Sequence, residues 1–217
     1  RRVSDEGHLA AGGFSAWLDG VQAAMRGEAA SEVPCGTCTA CCTSSQFVHI
    51  GPDETDTLAH IPAELLFPAP RLPRGHVLLG YDEQGHCPML VEGRCSIYAH
   101  RPRTCRTYDC RVFPAAGLDA DDDKPQIARQ ARRWRFDHLT GDDRVEHAAV
   151  RAAAVYVAGR AGDLPPGAVP STATGRAILA IEVHEAFLSC DESGRRVVVA
   201  PEPGAVRVEI ARTTSSG

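Results

Sequence analysis

Eight of the nine cysteines in this chain fall between Cys35 and Cys110, and only Cys190 lies outside that stretch. Cys35, Cys38, Cys41 and Cys42 occupy the run CGTCTACC, and Cys87, Cys95, Cys105 and Cys110 form a second, looser group. Cysteines at steps of three let consecutive thiolates converge on one centre while the intervening backbone N–H groups turn toward the sulfurs. Four plus four describes two tetrahedral sets or one larger shared site. Zinc is satisfied by four thiolates, usually drawn as two separated pairs. A Cys-x-x-Cys-x-x-Cys run with a remote fourth ligand is how ferredoxin-type [4Fe–4S] clusters are held. The run here follows the second pattern and leaves Cys42 for a neighbouring centre. All eight cysteines are therefore candidate metal and cofactor ligands. The expected cofactor is an iron–sulfur cluster of the 4Fe–4S kind, with zinc or mononuclear or multinuclear iron as the alternative.

Other uses of these cysteines fit less well. A disulfide framework is disfavoured by the odd total, by the lack of a visible secretion signal and by a 217-residue chain that can bury a core without crosslinks. A thioredoxin-type redox pair needs a strand, the pair and a helix, with no other cysteines crowding it. Metal ligation also has an electrostatic requirement. Eight thiolates carry roughly eight negative charges, and two zinc ions or two cluster cores return about half of that. Arg94, Arg101, Arg103, Arg106 and Arg111 lie in or beside the second cysteine group and could supply contacts to sulfur or to Asp109. His86 and His100 could each replace a thiolate, and folding could bring His49 near. Tyr98 and Tyr108 lie near the site in sequence, for packing, hydrogen bonding or redox participation.

CGTCTACC followed by GHCPMLVEGRCSIYAHRPRTCRTYDC, Gly85 to Cys110, resembles the YkgJ-type CxxCxxCC cysteine-cluster family of zinc- or iron-chelating domains. The likeness covers about residues 30 to 115. Its residues are the four-cysteine opening, Cys87-Pro88 with Leu90, Cys95 with Ile97-Tyr98, Arg101-Pro102, Cys105-Arg106 and Cys110. The resemblance implies a metal-chelating cysteine cluster. Among relatives, an iron–sulfur-containing flagellin lysine methylase carries a similar motif. Its activity does not transfer here, because no glycine-rich nucleotide-binding turn follows a strand in this sequence.

Elements must bring the two cysteine groups together. Phe14, Trp17, Leu18, Val21 and Met25 recur at helical spacing, which predicts a helix over about Ser15 to Arg26. Val48 and Ile50 read as a short strand before a helix opening near Pro52-Asp53 and ending around Ile61-Pro62. Pro62, Pro68, Pro70 and Pro73 mark an extended loop. Val77 to Tyr81 is strand-like, and Met89 to Val91 with Cys95 to Tyr98 suggests a hairpin carrying ligands at both ends. Pro102 could open a helical turn holding Cys105, although the five-residue step to Cys110 does not keep both on one helical face. Asp119 to Lys124 reads as an acidic linker, not a calcium loop. Beyond it, helices are expected over Pro125 to Leu139, Asp142 to Arg160 and Arg176 to Ser189. Arg195 to Ala200 and Ala205 to Arg212 read as a terminal hairpin.

The resulting fold class is α+β: a small loop-rich cysteine metal-cluster half with a β-hairpin, packed on a mainly helical C-terminal half ending in a β-hairpin. Residues 1–115 and 116–217 would form one integrated domain. Net charge is −5, and Arg129, Arg132, Arg133 and Arg135 make one short basic helix, which argues against nucleic acid as partner. No apolar run approaches the roughly 20 residues of a membrane span. A reducing cytoplasmic setting is expected, since residues 1–30 show no secretory signal. No serine elbow or P-loop is present. The expected function is a metal-binding cysteine-cluster protein of the iron–sulfur redox or catalytic kind, with an unidentified small-molecule substrate or redox partner protein. Two alternatives stand beside it: a zinc-chelating structural or interaction module with two four-cysteine sites, and an iron-dependent metalloenzyme with Cys/His ligands.

Overall fold

The computed structural model describes residues 7–31, 33, 36–160, 162, 164, 165 and 167–215. In chain order its elements begin with β1 (Leu9–Gly13), α1 (Phe14–Met25), β2 (Val48–Ile50), α2 (Thr55–Ala59), β3 (Leu66–Pro68) and β4 (Val77–Leu79). There follow β5 (Leu90–Val91), β6 (Arg94–Cys95), α3 (Arg103–Thr107), α4 (Val112–Ala116), α5 (Pro125–Ala131) and β7 (Trp134–Asp137). The last elements are α6 (Gly141–Gly159), α7 (Ala173–Val183), β8 (Leu188–Cys190), β9 (Arg196–Val198) and α8 (Pro203–Ser215). Among the described residues no helix is long and apolar enough to cross a membrane. The α+β class expected from the sequence is the one observed, with small sheets and a β8–β9 hairpin following the helices.

These elements fall into two compact units. One comprises Arg1–Ala29, Cys110–Asp122 and Ala128–Gly217, and the other Ala30–Asp109 with Asp123–Ile127. In the first unit the apolar stripe of α1 is buried at Phe14, Trp17, Leu18 and Val21, as its spacing predicted. Val150, Ala153 and Val157 of α6 and Ala177, Ile181 and Val183 of α7 are almost fully buried, small side chains that let two helices approach closely. β1 and β7 pair in parallel, with Leu9 opposite Trp134.

Several expectations from periodicity need correction here. The helix expected to reach Leu139 stops at Ala131. Trp134 and Phe136 alternate with Arg135 along β7 instead, because pairing with β1 satisfies the backbone there. Likewise the second arm of the expected terminal hairpin is the helix α8. β9 takes β8 as its partner, with Ser189 opposite Val197. Val206 and Ile210 are i,i+4 neighbours and both buried, a spacing that serves a helix as well as the expected alternation serves a strand. The third helix ends at Val183 and passes through a 3₁₀ turn into β8.

One carboxylate holds two helix starts in this unit. Asp143 accepts from the backbone N–H of Ser15 at 2.9 Å, from the N–H of Thr140 at 2.7 Å and from the Thr140 hydroxyl at 2.8 Å. Thr140 Oγ1 in turn accepts from Asp143 N at 3.1 Å, closing a capping box. These backbone donors, those of Ser15 and Thr140 first, hold the Asp143 carboxyl well below the usual range. A depressed carboxylate stabilises the fold above the ordinary aspartate range and ceases to do so as pH falls through its own pKa. Asp143→Asn should therefore lower the melting temperature by several degrees at neutral pH. The gap from the unmodified protein should close in strong acid, read by calorimetry across pH.

In the second unit β4 lies between β2 and β3, all antiparallel, with Leu79 opposite both Val48 and Leu66. The strand β3 lies inside the segment expected to be loop. Three residues suffice to pair before Pro68 ends it. Val48 and Ile50 point into a buried cluster with Ile61, Leu79, Met89 and Ile97, and Cys87 and Cys95 pack against that cluster. The expected metal-knuckle hairpin is present in shortened form, β5 paired to β6 with Leu90 opposite Cys95. Its turn has positive φ at both Glu92 and Gly93, +49° and +73°, the left-handed pair that a two-residue hairpin requires.

Candidate metal centre

The first cysteine group is shaped by a short helical turn. Cys41, Cys42 and Thr43 form one turn of 3₁₀ helix, braced by Thr43 Oγ1 donating to the Thr39 carbonyl at 3.1 Å and Ser44 Oγ to the Ala40 carbonyl at 2.6 Å. The only lysine of the chain, Lys124, ends this turn. Its Nζ donates to the carbonyls of Ser44 at 3.0 Å and Ser45 at 3.2 Å, a cation at the carbonyl end of the helical turn. Asp119 to Lys124, expected to be plain linker, supplies this contact. Within the same run Asp121 accepts the Ala173 N–H at 2.9 Å where α7 begins.

Two backbone bonds fasten the second group to the first. Cys87 N–H donates to the Cys42 carbonyl at 2.7 Å, and Ser45 N–H to the Gly85 carbonyl at 2.9 Å. This close approach requires glycine at position 85, where φ is +80° and a Cβ would lie 2.3 Å from Ser45 Oγ. The hairpin then carries the chain from Cys87 to Cys95. Next, α3 brings in Cys105, and the two acids leading into α2 and a carbonyl of β2 lock that helix. Buried Glu54 accepts from the N–H groups of Gly51 and Arg103, Asp53 pairs with the Arg103 side chain, and Thr104 Oγ1 donates to the His49 carbonyl at 2.8 Å.

Five candidate ligands therefore share one electrostatic neighbourhood within this unit. The Cys42 thiol is acted on by Cys41, Cys87 and Cys105, and the Cys105 thiol by Cys41, Cys87 and Cys95. Crowding around its sulfur, then the neighbouring thiolates, push Cys105 up to about 12, although Arg101 pulls the other way. Desolvation and the charges of Cys95, Cys41 and Asp82 push Cys87 up as well. Within the adjacent pair, Cys42 keeps its proton and donates it toward Cys41. That bond, with backbone N–H groups and the Arg101 charge, brings Cys41 down to about 7. Mutual repulsion and desolvation keep most of this set protonated, and a bound cation would let the thiols ionise together. The donor chemistry fits a thiophilic metal.

The other predicted residues are placed as follows. Cys35 lies outside the described residues. Cys38 Sγ accepts the Ala40 N–H at 3.5 Å in the loop before the 3₁₀ turn. Cys110 belongs to the other unit, where it is buried and its Sγ accepts the Trp134 indole N–H at 3.2 Å. Cys190 is exposed at the end of β8. Cys38, Cys41, Cys42, Cys87, Cys95, Cys105 and Cys190 are free thiols. Among the described residues no three cysteine sulfurs lie within 4.8 Å of one another. Of the arginines expected near sulfur, Arg101 acts on both Cys41 and Cys105. Its guanidinium lies 3.7 Å over the Tyr98 ring, and its buried Nε has no hydrogen-bond partner among the described residues. Arg103 and Arg106 face Asp53 and Glu54, and Arg111 donates to the Ala11 carbonyl at 3.1 Å. Asp109 accepts from the Ser31 hydroxyl at 3.2 Å. His100 is bonded to Asp56, and His49 Nε2 meets His76 Nδ1 at 2.9 Å. Residues that sequence reasoning missed are Lys124, Glu54 and Gly85, which position the thiols. The acidic run around Lys124 hides the first of these.

Residues 34–131 match the CxxCxxCC family, described as "Putative zinc- or iron-chelating domain". No curated protein and no solved structure matches the chain.

Proposed function

We propose, from the premise that residues 34–131 are a CxxCxxCC domain, that the protein is an iron–sulfur protein of redox or catalytic function. Cys35, Cys38, Cys41, Cys42, Cys87, Cys95 and Cys105 are its ligand set. The observation that carries this reading is the gathering of thiols from the 3₁₀ turn, the hairpin and α3 into one neighbourhood, with the Arg101 guanidinium acting on it. The Cys-x-x-Cys-x-x-Cys run favours a multinuclear centre over a single ion. A bound cluster supplies one-electron transfer. The chain's contribution is to bury Cys87 and Cys95 against the Val48–Ile50–Leu79 cluster and to set the Arg101 charge beside the thiolates, which favours the reduced state.

A second reading is favoured by the family description itself, which names zinc beside iron: a zinc-chelating structural or interaction module. Anaerobic purification decides between them. The iron–sulfur reading expects brown protein with iron and acid-labile sulfide in equal amounts. Colourless protein with stoichiometric zinc and no sulfide would establish the zinc module in its place.

A further inference from the structure

We propose that Asp56, His60 and His100 form a second, sulfur-free site for a divalent cation of the zinc, cobalt or nickel kind. Asp56 and His60 are one turn apart on α2 and its C-terminal cap, so both side chains leave the same face. The 3₁₀ turn Tyr98–His100 then brings His100 against them from the far side of the sequence. His100 Nδ1 lies 2.7 Å from Asp56 Oδ2, and His60 Nδ1 lies 3.8 Å from Asp56 Oδ1. The two imidazoles are stacked with centroids 3.6 Å apart and planes 7° from parallel, so they are adjacent and one ring must turn for both in-plane lone pairs to meet a single ion. One ligand atom from each of the three residues lies within 4.8 Å of the other two.

Two imidazoles and one carboxylate select borderline divalent metals over calcium or magnesium, which prefer all-oxygen sets. His60 Nδ1 is 2.7 Å from the Asp56 carbonyl, which accepts its proton. This is the kind of bond that orients metal-ligating imidazoles. Between Asp56 and His100 a cation would replace the direct contact. At metal–ligand bonds of about 2.0–2.1 Å and tetrahedral angles, the two ligand atoms need only open to about 3.3 Å. The side chains are 68%, 40% and 37% exposed for Asp56, His60 and His100, so ion and water ligands have access. The site shares no residue with the thiol centre, and its test does not depend on which metal the cysteines hold.

The experiment uses the full chain with its cysteine centre already loaded, titrated with Co²⁺. One further equivalent should bind with ligand-field bands and no sulfur-to-cobalt charge transfer, while the spectrum of the thiol centre stays as it was. His60→Ala and His100→Ala should each weaken that binding at least tenfold, and Asp56→Asn should weaken it in the same direction. Imidazole ¹⁵N spectra of the unmutated protein give a readout free of folding effects: the His60 and His100 signals should broaden first. Failure to take up an extra equivalent, uptake with thiolate charge transfer, or uptake unchanged in both histidine variants would each overturn the site.

Discussion

Cys105→Ser is expected to cut bound metal and its visible absorption at least tenfold, and Cys87→Ser to do the same. Losing even a residue that orients a metal ligand costs about 10–100-fold in affinity, and on the proposed ligand set these two bind the metal directly. Ionising either sulfur is opposed by its neighbours, Cys41, Cys87 and Cys95 at Cys105 and Cys95 and Cys41 at Cys87, so a bound cation should be needed to hold them as thiolates. Two control variants sharpen the result. Cys190→Ser, at an exposed strand end, should leave metal content untouched. Cys110→Ala should also keep the metal while changing Trp134 fluorescence, because the Cys110 sulfur accepts the indole N–H in the core of the other unit. Metal analysis and absorption on the four variants read all of this. A Cys105→Ser protein with full metal would remove Cys105 from the ligand set, and metal loss in Cys110→Ala would add Cys110 to it.

Metal-loaded and metal-free protein should respond to pH in opposite directions. Metal takes thiolates, and at neutral pH Cys105, Cys87 and Cys42 are held protonated by crowding around their sulfurs and by one another. Binding therefore releases at least these three protons, and each makes the apparent affinity fall about tenfold per unit of acidification. Between pH 8 and pH 7 the loss is about a thousandfold, measurable by competition with a chelator. In the metal-free protein the sign reverses. A thiol whose folded pKa is raised keeps its proton when the unfolded chain has lost it, so stability is full below the unfolded value near 8.5 and falls as pH rises toward about 12. Denaturant titrations of metal-free protein at pH 7 and pH 10 should show the midpoint dropping at the higher pH. Equal midpoints would mean that the thiols are not buried together.

Local pattern carried much of the architecture. The α1 stripe and the long helix α6 lie within a residue or two of where periodicity put them. The hairpin around Glu92-Gly93 was announced by its turn residues. Misplacements occurred where two periods fit the same apolar residues. Trp134 reads equally as the next turn of α5 and as the start of β7, and Val206 and Ile210 as strand or helix. For Trp134 a partner distant in sequence, β1, took the available backbone bonds, whereas at the other end the neighbouring β8 paired with β9 and residues 203–215 bonded internally as α8.

What the sequence settled by itself is chemical. Thiols in that number and at those steps point to metal ligation, the use that fits their charge and spacing better than disulfides or a lone redox pair. What only tertiary structure decided is which thiols meet. Spacing treats Cys105 and Cys110 as one group, yet Glu54 and Thr104 pin α3 so that Cys105 joins Cys41, Cys42, Cys87 and Cys95, while the Cys110 sulfur accepts the Trp134 indole N–H within the other unit. The same distinction applies to His100, which lies among the cysteines in sequence and beside Asp56 and His60 in space. The physical reason is range. A motif fixes the conformation of a few residues, whereas convergence of Cys42 with Cys87, or of His60 with His100, depends on hydrogen bonds and packing that close loops of about 40 residues, which no local pattern encodes.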